Sequence, residues 1–443
     1  MNFQPKSSIF FFFILSGLCI LISCHSASET DSVEQRNTGV ELQKFCVENP
    51  PLIGVFNETT FYEGGLSGLH YIPGTDMEFY TINDRGPNFD ASDHPLADGK
   101  NIKLFPFPDY TQKILKLKVE GDELIAVDVK TISTADGTPT SGLPVPGLGG
   151  EWPEVAWSDF SATNAGWDSL GIDAEGIVQD ADGNFWIVEE YRPSILKTDG
   201  QTGEILKIYS PFPIPKSSIP LDEVLKKRRP NRGFEAVAVV PEGKVYAMMQ
   251  SPLWNPDRSM NDHSRIVRIL ELDPKTGDTQ FYLYEMRAAE GALRQADWKI
   301  GDMVAVNHHQ FLVIEHASRN ENQYFDIFLI DIQDATPIKE EGYDGKTPEE
   351  LLDKDGLTSA GIVPVSKQHF INLLELGYDR SHDKPEGITI LDSRTIAVVN
   401  DNDYGIDAIA DKDSETWNII NNGIQSCLYI ITLPEDMELD LER

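Results

Sequence analysis

Acidic residues recur at one point of a repeated phrase in this chain. Glu175 in Asp-Ala-Glu-Gly, Glu235 in Gly-Phe-Glu-Ala-Val and Glu386 in Lys-Pro-Glu-Gly each open an apolar run, and Ser67 of Leu-Ser-Gly-Leu holds the same place in a further copy. The runs close on polar groups: Asp84-Arg85, Glu189-Glu190 with Arg192, Gln250, Glu315-His316 and Asn400-Asp401-Asn402-Asp403. Carboxylates gathered about one point repel unless a cation or an arginine lies among them. Oxygen donors drawn from several segments suit a hard divalent ion, Ca²⁺ first. Glu175, Glu235, Glu386 and Asp401 are therefore the candidate metal ligands. Glu190, His316 and Asp84 are the candidate acid–base groups. Arg85, Arg192, Gln250 and Asn400 are the candidate substrate-binding side chains, with the basic run Lys226-Lys227-Arg228-Arg229 and Arg232 in reserve, since arginine's fork matches phosphate and carboxylate. Each has a structural alternative: glutamates that cap backbone amides within the fold, arginines in surface salt bridges, a histidine satisfied at a strand end.

The elements that must position these groups are hairpins. The copies read LSGLHYIPGTDMEFYTINDRG from Leu66, DAEGIVQDADGNFWIVEEYR from Asp173, GFEAVAVVPEGKVYAMMQSP from Gly233 and PEGITILDSRTIAVVNDND from Pro385. Each is an alternating apolar run, a Gly, Pro or Asp turn, and a second apolar run. A weaker copy, GDMVAVNHHQFLVIEHASR from Gly301, lacks the acidic start. Hairpins repeated about 60 to 100 residues apart, none able to bury both faces alone, predict an all-β chain folded as a single β-propeller. Further alternating runs extend each hairpin outward, and five blades are counted, with room for a sixth. Equivalent positions in successive blades lie on a ring about the axis, which is what would bring the acids together. Long insertions at 134–170, with Trp152, Trp157 and Trp167, at 211–232 and at 338–366 interrupt the meander. Loops of that length in a compact fold are functional or disordered, and the tryptophans favour a covering role for the first.

Lys6 followed by the apolar stretch Ile9 to Ile22 is a targeting segment too short to span a bilayer with ease. Leu21-Ile22-Ser23-Cys24 then resembles a bacterial lipobox, which implies a lipoprotein signal peptide over 1–23 and a lipid on Cys24; an ordinary cleaved signal peptide is the alternative. Residues 24–40 read as a flexible tether, 41–435 as the propeller and 436–443 as an acidic tail. The expected location is a bacterial cell envelope, with the membrane reached through the lipid alone. Cys46 and Cys427 remain at opposite ends of the propeller, on strands expected to close the ring; they are paired as a disulfide or are two buried thiols. The net charge of −35 argues against nucleic acid as a partner, and a monomer is expected. No G-x-S-x-G, H-E-x-x-H, Walker loop, paired C-x-x-C or R-H-G motif is present, which removes support for the corresponding hydrolase and nucleotide-binding classes.

Leu66-Ser67-Gly68-Leu69, Asp84-Arg85-Gly86, Glu175-Gly176-Ile177, Gly233-Phe234-Glu235-Ala236-Val237 and Gln250-Ser251-Pro252 resemble the motifs of the phytase-like family, described as having esterase-like activity, over roughly residues 60 to 432. The resemblance implies a propeller hydrolase of phosphate or carboxylic esters, and the acidic ring looks like the calcium-bearing axes of propeller phytases, paraoxonases and gluconolactonases. A metal-dependent ester hydrolase acting on a small molecule is the leading expectation. A non-catalytic envelope propeller that binds a ligand or protein, and a lactonase, are the others.

Overall fold

Five inner strands, Leu66–Tyr71, Ala174–Gln179, Phe234–Val239, Trp298–Ala305 and Pro385–Asp392, pair antiparallel with Glu78–Asn83, Phe185–Glu189, Val245–Met249, Gln310–Arg319 and Thr395–Asn400. Short apolar runs about tight turns form these hairpins, and the strands Phe185–Glu189 and Val245–Met249 are buried along their whole length. The computed structural model describes residues 39–148, 152–214, 218–338, 343–411 and 416–441. The signal peptide, Cys24 and nearly all of the tether lie outside the described residues.

Two more strands complete each sheet. They are Lys113–Glu120 and Glu123–Thr131 in the first, Ser194–Thr198 and Ile205–Ser210 in the second, Ile266–Leu272 and Thr279–Glu285 in the third, and Asn322–Asp331 and Ser366–Asn372 in the fourth. The fifth uses Cys427–Thr432 and, as its outer strand, Glu41–Cys46 from the other end of the chain. The inner strands neighbour one another in chain order, and the fifth returns to the first. A closed cycle of meandering sheets is a β-propeller. Its core lies between adjacent sheets, as where Trp186 and Val188 of the second meet Val237 and Met248 of the third.

Cys46 and Cys427 are direct ladder partners and form a disulfide with Cα atoms 4.0 Å apart. That is tighter than the usual range of about 4.4–6.8 Å. The segment expected to be an acidic tail is part of the fold: Leu439 is buried and its N–H donates to Ser393. No helix among the described residues is long and apolar enough to cross a membrane.

Because strands alternate in direction, the links between second and third strands and those between successive sheets emerge on one face. Besides 134–170 and 211–232, that face carries 84–112 and 401–426, two insertions that sequence reading passed over because each interrupts a sheet whose strands resume far downstream. The first holds the strands Phe89–Asp90 and Asn101–Leu104, the latter parallel to Glu154–Trp157; the second holds the hairpin Ile406–Asp411 and Thr416–Asn421. The 338–366 insertion packs instead on the outer part of the third sheet, where Glu349, fully buried, accepts from Arg268 at 2.6 Å.

Candidate functional site

The glutamates point inward because each is the extra residue of a β-bulge. Ala174 pairs with Glu189 and Gly176 with Val188, which leaves Glu175 unpaired; Glu235 and Glu386 stand alike between Phe234 and Ala236 and between Pro385 and Gly387. A bulge re-aims its residue without ending the strand. The small residue that follows lets neighbouring inner strands meet: a Cβ on Gly176 would lie 2.9 Å from the Glu235 carbonyl, and one on Gly387 2.8 Å from Gly68. Ligand oxygens of Glu175, Glu235 and Glu386 all lie within 4.8 Å of one another, and so do those of Asp173, Glu175 and Glu190. These two clusters could hold a metal ion and share Glu175.

Both clusters wall a cavity of about 510 Å³ at the mouth of the axis. Asp302 lies outside that lining; its buried carboxylate accepts from the Ile388 N–H at 2.9 Å and from the amides of Leu69, Val237 and Met303. Those amides sit on the open inner edge of the ring and have no strand to pair with. Burial pushes the acids up: Glu190, with Asp173 adding to the effect, to about 7, Glu386 to about 8, and Glu175 and Glu235 well above the carboxylate range, the last two also through their acidic neighbours. Glu235 Oε2 and Glu190 Oε1 are buried without a hydrogen-bond partner among the described residues. Native structures leave few such atoms, and a carboxylate oxygen of this kind beside other acids is a natural ligand for a cation.

The cavity also contains its own cations. Lys384 donates to Asp401 at 2.8 Å and to Asp403 at 2.6 Å. Burial works against its charge, yet Asp401, Asp403 and Glu386 hold Lys384 well above its usual value. Arg85 contacts Glu154 at 3.1 Å and Asp173 at 3.5 Å. Lys299 and Arg232 also line the wall; burial, and then Arg229 beside it, push Arg232 down to about 9. Asp403 and Tyr404 both take left-handed backbone, φ 46° and 59°, a strain found at functional sites. The Tyr404 hydroxyl donates to Asp84 at 2.8 Å.

Of the residues singled out from sequence, Glu175, Glu235, Glu386, Asp401, Glu190, Asp84, Arg85 and Gln250 face this cavity. Asp401 does so with its carboxylate occupied by Lys384, and Glu190 joins the candidate ligands instead of standing apart as a base. Three residues lie elsewhere. Arg192 donates to the carbonyls of Gly171 and Ser169, so it fixes the end of the 134–170 insertion. Asn400 accepts from the Cys427 N–H at 2.7 Å and donates to Gln425, a link between strands. His316 is buried outside the lining, against Phe325, and burial keeps its ring neutral, well below the usual imidazole value. The 134–170 insertion does cover the Arg85 face: Glu154 pairs with Arg85, and Gly142 accepts from Tyr191 at 2.8 Å. Trp157 is buried, while Trp152 and Trp167 stay half-exposed. Sequence reading missed Asp173, Lys299 and Lys384. The signal was a charged residue two places before the glutamate position, visible once the Gly301 copy is aligned as Lys299-Ile300-Gly301. Lys103, from an insertion, left no such signal.

A β-propeller with an acid-lined cavity at one mouth of its axis is the class that fold and site define. The chain belongs to the phytase-like family, described as esterase-like activity of phytase, whose pattern matches residues 62–404. It is similar to an uncharacterized secreted protein of Arthroderma benhamiae, 29% identical over 194 residues, covering 37% of this chain and 37% of that protein's length. Among solved structures, a luciferin-regenerating enzyme superposes with TM-score 0.31 at 10% identity over 87% of this chain and 95% of its own. Virginiamycin B lyase from Staphylococcus aureus does so with TM-score 0.29 at 9% identity over 89% and 100%. The propeller rests on the chain's own strand order, not on these distant superpositions.

Proposed function

We propose that the protein is a lipid-anchored, extracytoplasmic ester hydrolase that binds a divalent cation, Ca²⁺ foremost, on Glu175, Glu235 and Glu386, with Asp173 and Glu190 beside them. The observation that carries this reading is the convergence of three bulge glutamates with oxygens within 4.8 Å, one of them unpartnered. Two ligands on opposite sides of one Ca²⁺ stand about 4.6 to 5.2 Å apart, so the cluster is the size of one coordination sphere, and its donors are all hard oxygens. A cation bound there would polarise the ester and acidify a water. Around it, Arg85 and Arg232 orient the anionic portion of a phosphate or carboxylic ester. Glu190, which shares a cluster with Asp173 and Glu175, would move a proton beside the ion, and Asp84, held by Tyr404, borders the same space. The Leu21-Ile22-Ser23-Cys24 motif supports the anchor.

A second reading, a propeller that binds a ligand without turnover, is favoured by Lys299 and Lys384, which already offset part of the acidic charge. Metal analysis of the purified protein, with a panel of phosphate monoesters, carboxylic esters and lactones, separates the two. One cation per chain, hydrolysis abolished by chelation and restored by Ca²⁺, and a marked fall in both in Glu235→Gln with an unchanged β-sheet spectrum are expected. A chain without cation or turnover, indifferent to Glu235→Gln, would be a binding protein.

A further inference from the structure

A second cavity, about 550 Å³, opens beside the axial one. The two share walls at Asp90, Lys103, Arg229, Pro230 and Asn231. Beyond that seam the lining changes character. Pro144, Val145, Leu148 and Trp152 come from the 134–170 insertion, and Trp254 comes from the loop after Met249. Arg258 lies over the Trp254 ring at 5.3 Å, and the buried Trp254 N–H has no acceptor among the described residues.

The seam is a tight turn of arginines. Asn231 takes left-handed backbone with φ 54°, and the Arg229 carbonyl accepts from the Arg232 N–H at 3.1 Å. Among the described residues Arg228, Arg229 and Arg232 form no ion pair, although the chain carries a net charge of −35. They donate only to carbonyls: Arg228 to Tyr191 at 2.7 Å, Arg229 to Ala296 at 3.1 Å and Arg232 to Trp298 at 3.1 Å. Each guanidinium has five donors, so most remain free. Arg228 and Arg232 are buried; Glu189 and Glu190 favour the charge of Arg228, and Glu190 and Glu235 that of Arg232, without direct contact, and a buried cation with no carboxylate against it is costly to fold. Clustered arginines of this kind match an incoming anion.

Building on the ester-hydrolase reading, we propose that the substrate is an anionic ester with a planar aromatic organic part. The Arg228–Arg232 turn binds the anionic group at the seam, and Trp152 and Trp254 hold the aromatic part in the second cavity. Asn101, Glu154 and Asn261 also line this cavity, but a polyol reaching across it would leave hydroxyls unpaired against Pro144, Val145, Leu148 and Trp152. An aromatic group buries its faces there and leaves the anion pointing toward the acids.

Calorimetry of the full chain with phenylphosphonate and methylphosphonate tests this, since both carry the same anion and neither can be hydrolysed as an ester. Phenylphosphonate should bind about tenfold more tightly. Trp254→Ala and Trp152→Ala should each bring that ratio toward one, whereas Arg229→Gln should weaken both ligands alike. If Trp254→Ala does not fold, Trp152→Ala, at a half-exposed indole, carries the test. Equal affinities in the unaltered protein, a preference that survives both tryptophan changes, or no binding of either phosphonate would overturn the inference. A protein that shows the preference yet hydrolyses no ester would sink the hydrolase reading and leave the aromatic subsite standing.

Discussion

Three of the five inner strands carry a glutamate as the extra residue of their bulge, and two do not. In the first sheet Ser67 keeps its ladder partner Ile82, and the bulge falls at Gly68 and Leu69. In the fourth, Gly301 takes the glutamate's place and the acid comes one residue later, as Asp302, where it turns to backbone amides of the inner strands. One backbone device thus sends an acid to the cavity or to the scaffold, according to a shift of one residue. The level two residues earlier is mixed: Asp173 in the second sheet, Lys299 in the fourth and Lys384 in the fifth, all on the cavity wall. A full ring of five acids would need several ions. Three acids with Lys299 in the fourth sheet, whose Asp302 turns to the scaffold, leave a charge that a single divalent ion offsets.

The largest test of that contrast is Glu175→Gln, because Glu175 alone belongs to both acid clusters. Cation occupancy, read by mass spectrometry, should vanish, and hydrolysis should fall by about a thousandfold. Glu386→Gln, in one cluster only, should retain part of both. Equal damage from the two variants would show that only the Glu175–Glu235–Glu386 cluster holds the ion.

Next in size is a pH effect. Glu190 and Glu386 are raised to about 7 and about 8 by burial, and Glu175 and Glu235 well above their ordinary 4.5. A carboxyl raised on folding contributes stability that is whole below its unfolded value and is lost as pH rises through its folded value. Chelator-treated protein should therefore lose melting temperature steadily from about pH 5 to about pH 8. Saturating Ca²⁺ should flatten that slope, because the acids then bind as carboxylates. A melting temperature that climbs with pH in chelator would mean that the lysines and arginines, not protons, neutralise the three acids.

Much of this contrast could be read from the repeats, and the part that could not has a physical cause. Period-2 alternation revealed the hairpins, and the shared phase of Glu175, Glu235 and Glu386 placed them on the axis, since sheets related by rotation bring one phase to one ring. Register was harder. The bulges that aim the glutamates and divert Asp302 depend on which backbone groups pair across the hairpin, and Glu-Gly or Gly-Asp in sequence does not show that. Arg192 and Asn400 have the chemistry of ligand-binding groups, but nearby carbonyls and amides claim their side chains first. His316 follows Glu315 at a strand position that the fourth sheet turns into its core. Lys103 reaches the cavity from an insertion whose strands pair with a segment some fifty residues later, which no local pattern announces.

Lys299→Met is expected to act in the opposite sense to the glutamate changes. Lys299 favours the ionised forms of Glu190, Glu235 and Glu386 and repels an incoming cation. Its removal should tighten Ca²⁺ binding by about tenfold and lower the chelated protein's stability near pH 8. Weaker Ca²⁺ binding would mean that Lys299 positions the acids more than it competes for them.

Ser67→Ala should have the smallest effect, and its smallness is informative. Ser67 occupies the glutamate position of the first sheet, fully enclosed, and its hydroxyl has no hydrogen-bond partner among the described residues. Deleting a buried hydroxyl that makes no bond removes a desolvated polar group and leaves no partner orphaned, so stability should move by no more than about 0.5 kcal/mol, in either direction. Because Ser67 is held in the ladder by Ile82 and is not swung out by a bulge, Ca²⁺ affinity should not change either. A titration in which Ser67→Ala weakens Ca²⁺ binding severalfold, with folding intact, would place that hydroxyl at the ion. The division between three site-forming sheets and two supporting ones would then have to be redrawn with four.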